Sequence, residues 1–355
     1  MVRLRTILAT LALSAGLGLP ISSPAWAQSL HLARDVAYAP SGTPGGDLLV
    51  MDVYRPSATG RSPALVLIHG GGFFQADKSL MDGASRFFAE NGYVVFNINY
   101  RLAPEFPYPA AVKDAQSAVR FIRAHSADYG VDPSRIGAMG GSAGATIAAS
   151  LAADSNGHFD SGSGIAAAVC LSPALDMSRV LEERSSSNDV LNGIPDYIGM
   201  PGKTADFLLN SSDAQKKMKA ASPYYQVEKG DPPLFVANAL HEFIPIDQTK
   251  SFVAKLRQLG ITHTTLFPPS GHAMRYFGQA RDPALSFFDQ YVRDYQAQSP
   301  SPSPSASLQP TGSPFPIEPA GHRSSPLLSI VIVVGVLVVL GLILAPVIKS
   351  RRLNR

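Results

Sequence analysis

Between residues 64 and 267, short apolar runs recur at intervals wide enough to hold a helix. ALVLIHG (64–70), YVVFNINY (93–100), RIGAMG (135–140), IAAAVCLS (165–172), PLFVANAL (233–240) and THTTLF (262–267) carry mainly Val, Ile, Leu, Ala and aromatic residues. Continuous runs of that kind predict strands buried on both faces. Between and after them, helical patterns fall near 78–91, 109–126, 143–153, 247–259 and 282–296. Near the start, DLLVMDVYRP reads as an antiparallel edge strand. Strands alternating with helices predict an α/β domain, a mostly parallel sheet with helices on both faces. Residues 176–225 break the rhythm; they are polar and irregular, and predict either a long loop or a helical cap. No internal repeat accompanies the pattern.

The two ends follow other patterns. Arg3 and Arg5 precede the apolar run ILATLALSAGLGL and an Ala25-x-Ala27 step, which predicts a signal peptide over 1–27, cut before Gln28. Leu327 to Ile348 is a run of 22 uncharged residues followed by the basic tail KSRRLNR, residues 349–355. At ~1.5 Å per residue such a run reaches ~33 Å, the thickness of a bilayer core. The excess of basic residues on its far side, four in the tail against Arg323 just before the run, predicts a single transmembrane helix with the tail in the cytoplasm. Residues 298–326 form a Pro/Ser-rich linker, leaving one large domain over 28–297 outside the cytoplasm, at the cell surface or in a periplasm.

Composition fits that organisation: 45% of residues are hydrophobic and 16% charged, a globular balance. The net charge of +3 comes from the ends; without their six basic residues, 24 basic face 27 acidic side chains, a balance of −3. A nucleic-acid role therefore has no electrostatic support. Cys170 is the single cysteine, so no intrachain disulfide braces the domain.

The candidate chemistry sits at strand ends. In MGGSAGAT, Ser142 ends the strand 135–140 and opens the helix 143–153. G-x-S-x-G in that setting predicts a sharp elbow that exposes a nucleophilic serine, with small neighbours because strand, turn and helix crowd there. HGGGF, His69 to Phe73, follows the first buried strand. Its glycines free the amides of Gly71 and Gly72 to join that of Ala143 as an oxyanion hole. His69 reads as a loop anchor. The base is expected late in the chain, where PPSGHAM places His272 after the last strand.

These motifs, with LLVMDVYRP, NYRLAPEFPYPAAVKDAQSAVRFIRAHSADYGVDPSRIGAMGGSAG and SPYYQV…DPPLFV, resemble the hormone-sensitive-lipase-like branch of the α/β-hydrolases, close to bacterial carboxylesterases, over residues 34–294. The resemblance implies an α/β-hydrolase fold with an eight-stranded sheet, no cofactor or metal, and hydrolysis of small-molecule esters by a Ser/His/acid triad. One position departs from the family. Its H-G-x-x-D-x-x-V-P turn corresponds here to ANALHEFIP, which puts His241 where the acid belongs and Asn238 where the glycine belongs. An imidazole supplies no anion to steady a protonated His272. Glu242 is the first candidate replacement, with Asp247, Asp176 and no acid at all as alternatives. The leading reading is a membrane-tethered serine esterase; an inactive binding ectodomain and a peptidase of the same fold stand beside it.

Overall fold

In the computed structural model, residues 30–42, 48–57, 60–154, 162–183 and 193–295 are described. The expected signal peptide (1–27), linker (298–326), transmembrane helix (327–348) and tail (349–355) lie outside the described residues. Among the described residues no helix is long and apolar enough to cross a membrane.

Eight strands form one sheet in the order β1-β2-β4-β3-β5-β6-β7-β8. They are β1 (Leu30–Pro40), β2 (Leu48–Pro56), β3 (Ser62–Ile68), β4 (Val94–Ile98), β5 (Val131–Gly141), β6 (Ala168–Leu171), β7 (Leu234–Ala237) and β8 (His263–Leu266). The pairings β1–β2 and β2–β4 are antiparallel, and the remaining five are parallel. The helices are α1 (Asp82–Glu90), α2 (Ala110–Ala124), α3 (Ser126–Tyr129), α4 (Ala143–Ala153), α5 (Met177–Glu183), α6 (Gly193–Tyr197), α7 (Ala205–Asn210), α8 (Ser212–Ala220), α9 (Pro223–Gln226), α10 (Ile246–Leu259) and α11 (Phe277–Phe288).

The continuous apolar runs are explained by two cores, one on each face. Along β3, Ala64, Val66 and Ile68 join the core beneath α2, α4 and α10. Leu65 and Leu67 join the opposite core, built with α1 and α11. The strand period of two thus feeds apolar side chains to both faces. The segment 176–225, for which the sequence leaves loop and cap open, carries α5 to α9 among its described residues.

β2, expected as an edge strand, lies between β1 and β4 because β1 adds outside it, and three further features differ from the sequence expectations. β1 is unforeseen, because most of its residues are exposed and its apolar alternation is interrupted by Arg34 and Asp35. There the strand shifts register between Ala33 and Val36, and again between Ala37 and Ala39. Asp35 stands at φ 52°, held by its amide to Asp52 Oδ1 (3.0 Å) and its carboxylate to Lys78 Nζ (2.8 Å). α11 starts earlier than expected, at Phe277, and runs through Pro283. β7 ends at Ala237, short of the expected residue 240, because the chain turns there into the loop that carries Glu242.

The placement of the site follows from the winding. β3 and β5 are neighbours, yet the chain leaving β3 passes to α1 on one face and the chain leaving β5 passes to α4 on the other. A crevice opens where two such strand ends diverge, which is where α/β sheets bind ligands.

Candidate active site

At the end of β5 the backbone turns abruptly. Ser142 lies at φ 56°, ψ −122°, a conformation that L-residues rarely adopt, and its amide donates to the carbonyl of Leu171 at 2.8 Å. Gly140 and Gly144, on either side of it, answer to backbone, not to side chains. A Cβ on Gly140 would lie 2.1 Å from the carbonyl oxygen of Gly144, and one on Gly144 would lie 2.1 Å from that of Ile68. Only glycine lets β3, β5 and α4 meet this closely. The small residues of α4 have the same origin, since every residue of that helix is buried.

The HGGGF loop closes over the elbow. Gly71 (φ 115°), Gly72 (φ 62°) and Phe73 (φ 73°) all take left-handed backbone. The amides of Phe74 and Gln75 both donate to the carbonyl of Gly71 at 3.2 Å, which makes the tight turn. Among the described residues, the amides of Gly71, Gly72 and Ala143 have no internal acceptor. His69 is buried, its Nδ1 lies 2.7 Å from the carbonyl of Gly70, and its ring stacks on Tyr100 at 4.2 Å. Burial pulls its pKa down to about 4, so at neutral pH it is an uncharged anchor for the loop.

Ser142 and His272 line the same cavity, of about 540 Å³, with Gly71, Leu80, Phe243 and Met274. His272 comes from the loop after β8, its ring tilted over Phe243 at 4.0 Å. Its Nδ1 is hydrogen-bonded to Oε2 of Glu242, a carboxylate only 1% exposed. A carboxylate accepts and does not donate, so this contact fixes the proton on Nδ1 and leaves Nε2 as the basic nitrogen.

Glu242 is held from its other side as well. Oε1 accepts from the amide of Ala239 at 2.7 Å and from the hydroxyl of Ser172 at 2.8 Å. Ser172, at φ 54° after β6, also accepts from the amide of Ala273 (2.9 Å), next to His272. Tyr276 reaches Ser172 Oγ at 2.8 Å and donates to the carbonyl of Ala237 at 3.1 Å. The loop 238–244 is closed by Asn238, whose Nδ2 donates to the carbonyls of Ala239 (3.1 Å) and Ile244 (3.2 Å) while its Oδ1 accepts from Thr249 (3.2 Å).

Of the candidate acids, Glu242 alone meets His272. Asp247 is exposed in the first turn of α10 and pairs with Lys250 at 2.9 Å. Asp176 is buried near Tyr225, 3.4 Å from its hydroxyl, and does not line the cavity. His241 stands exposed at the cavity wall, its backbone bridged to Ser270. Ser172, Tyr276 and Asn238 were not read from the sequence as site residues. A serine after a strand carries no motif, and Asn238 showed only as a departure from the family pattern. Among the described residues no cluster of His, Cys, Asp and Glu could hold a metal ion.

The sequence profile of the family described as BD-FAE matches residues 51–256. Esterase LipI of Mycobacterium tuberculosis is 45% identical over 92 residues, 26% of this chain and 29% of that protein. The aligned stretches span about a third or less of the length of the first curated relatives. Among solved structures, an esterase of Pyrobaculum calidifontis is 25% identical with a TM-score of 0.58, over 76% of this chain and 87% of that one. A truncated carbohydrate esterase from gut microbiota, 23% identical, shares the fold with a TM-score of 0.63, over 75% of this chain and 97% of that one.

Proposed function

The chain belongs to the BD-FAE family, a hormone-sensitive-lipase-like family of α/β-hydrolases, and from that premise we propose that it is a serine hydrolase of small-molecule carboxylic esters. The observation that carries the reading is the hydrogen bond from His272 Nδ1 to the buried carboxylate of Glu242, in a cavity that Ser142 also lines. In this mechanism Ser142 Oγ attacks the ester carbonyl as His272 Nε2 takes its proton. Glu242 steadies the imidazolium that results, and the amides of Gly71, Gly72 and Ala143 receive the oxyanion. The carbonyl–alkoxy bond then breaks, His272 returns the proton to the leaving oxygen, and water releases the acid from Ser142 by the same steps reversed.

Glu242 against His272 supplies the carboxylate whose absence at position 241 favours an inactive binding ectodomain. Labelling the full chain with a fluorophosphonate tests the proposal. Attachment at Ser142, with turnover of p-nitrophenyl esters that Ser142→Ala abolishes, is the expected result. Absence of both would overturn it.

We further propose that a cleaved signal (1–27) and the run 327–348 hold this domain outside the cytoplasm by a Pro/Ser-rich tether. Sequence alone supports that part: the uncharged run, and more basic residues beyond it than before it. Protease treatment of spheroplasts should release the domain and leave a small tail fragment in the membrane. Active enzyme in the medium without protease would count against the anchor.

A further inference from the structure

Two side chains on the wall of the large cavity, His241 and Arg275, have no part in the triad or the oxyanion hole. They stand on the two loops that carry the acid and the base. His241 directly precedes Glu242, and the amide of Arg275 donates to the carbonyl of His272 at 3.0 Å. Both are exposed, so they stand at the mouth, while Gly141 and Ala273 are buried deeper in the cavity.

Among the described residues, neither the guanidinium of Arg275 nor the ring of His241 has a hydrogen-bond, ionic or aromatic partner. Cations on the flanking segments are already paired, Lys78 with Asp35 and Asp52, and Lys250 with Asp247. Glu242 supplies the one carboxylate among the lining residues. It is 1% exposed and occupied by His272, Ala239 and Ser172. A group entering the mouth therefore meets a permanent positive charge and a ring N–H, with no free anion beside them. Clefts lined by one sign of charge concentrate ligands of the other. The guanidinium fork also fits a carboxylate through two parallel hydrogen bonds. Leu80, Phe243 and Met274 make the rest of the wall apolar.

Resting on the ester-hydrolase reading, the position of the base decides which half of the ester meets these two residues. His272 returns its proton to the oxygen of the departing alcohol, so the alcohol lies on the His272 side, where the loops of His241 and Arg275 converge. We propose that this protein prefers esters whose alcohol has an apolar body ending in a carboxylate, with Arg275 and His241 as the residues that hold it. One permanent positive charge matches one negative charge; a phosphate dianion would leave its second charge unmatched.

The test measures kcat/KM of the full chain on 3- and 4-acetoxybenzoate and on their neutral counterparts, 3- and 4-acetoxybenzamide. Each value is divided by the rate of spontaneous hydrolysis of the same ester, which removes differences in leaving-group reactivity. The carboxylate should be favoured about fivefold or more in at least one isomer pair, a modest factor because both side chains are exposed. Arg275→Gln should lower that preference about fivefold, and His241→Asn by less. The loss should fall mainly on KM, since the carboxylate carries the same charge in the ground and transition states. Arg275→Glu should reverse the preference. The ratio is taken within one preparation, so a variant that folds poorly still reports it. No preference in the unaltered chain, or one that survives Arg275→Glu, would overturn the assignment while leaving the hydrolase standing. So would a larger preference for a carboxylate on the acyl side, read as monophenyl adipate against phenyl hexanoate. No turnover of any ester and no fluorophosphonate label would instead defeat the underlying reading.

Discussion

The nucleophile arm and the acid arm of the site are fixed by opposite means. Around Ser142, position is set by what is missing: Gly140 and Gly144 bring backbone to backbone with no room for one methyl group. Around Glu242, position is set by what is present: Ser172, Tyr276, Asn238 and Thr249 hold the loop through side-chain hydrogen bonds. Steric fixation is nearly all-or-none, whereas a network of hydrogen bonds loses its hold one bond at a time. The nucleophile arm should therefore tolerate almost no change, while the acid arm should tolerate more.

The largest expected effect would come from Gly144→Ala. Its methyl would meet the carbonyl oxygens of Ile68 and His69, both backbone, so the end of β3 and α4 would have to part. Loss of roughly 3 kcal/mol or more and of fluorophosphonate labelling is expected, read by thermal melting and by gel. Gly141→Ala is the control: the nearest atom to its Cβ is the Ala273 Cβ at 3.3 Å, a side chain. If Gly144→Ala melts like the unaltered protein, the steric account of the nucleophile arm fails.

Glu242→Gln comes next. It keeps the shape of the acid arm and removes the charge that steadies protonated His272. A fall in kcat of about 10³–10⁴ with little change in KM is expected. A variant retaining most of its activity would show that His272 needs no anion here. Ser172→Gly should do less. Glycine suits φ 54°, so the backbone is relieved while Glu242 loses one of its two donors at Oε1. About a tenfold drop in kcat with a nearly unchanged melting temperature is expected. A loss as large as that of Glu242→Gln would mean that the acid arm is as brittle as the other.

The last prediction concerns pH and bears on stability alone. Burial holds the His69 pKa at about 4 against an ordinary 6.5. As pH falls through that window the unfolded chain takes up a proton that the folded one refuses, so stability drops between about 6.5 and 4. Asp231 acts with the opposite sign, since burial raises its pKa from 3.8 to about 6. The difference between the unaltered chain and His69→Asn removes that background. The variant should show a shallower loss of stability with acid, by up to one proton's worth of slope. Parallel curves would show that His69 is not held neutral.

Legibility in the sequence divides along the same line. Steric necessity leaves a mark in one dimension: glycines at 140 and 144 on either side of Ser142, and helix 143–153 with the bounds read from sequence. The parallel strands were visible because both their faces are buried. Hydrogen-bonded networks leave almost none. Ser172 and Asn238 are ordinary polar residues until β6 and β7 place them side by side, and Glu242 drew notice only because His241 broke a pattern. β1 was invisible for a third reason, its residues being exposed and its pairing set by β2 rather than by its own alternation.

β1 has one further consequence. It is an outer strand of an open sheet, and such a strand offers unpaired amides and carbonyls to any similar edge that drifts past. The two register shifts in β1 break its straight run. At the first of them, Arg34 and Asp35 are tied to Asp52 and Lys78. A second copy approaching side by side would find a kinked and charged border where it needs a flat one. At the opposite border β8 is four residues long, His263 to Leu266, too short to seed a stable ladder. Built this way, neither border of the sheet offers a second copy a long, flat strand to pair with.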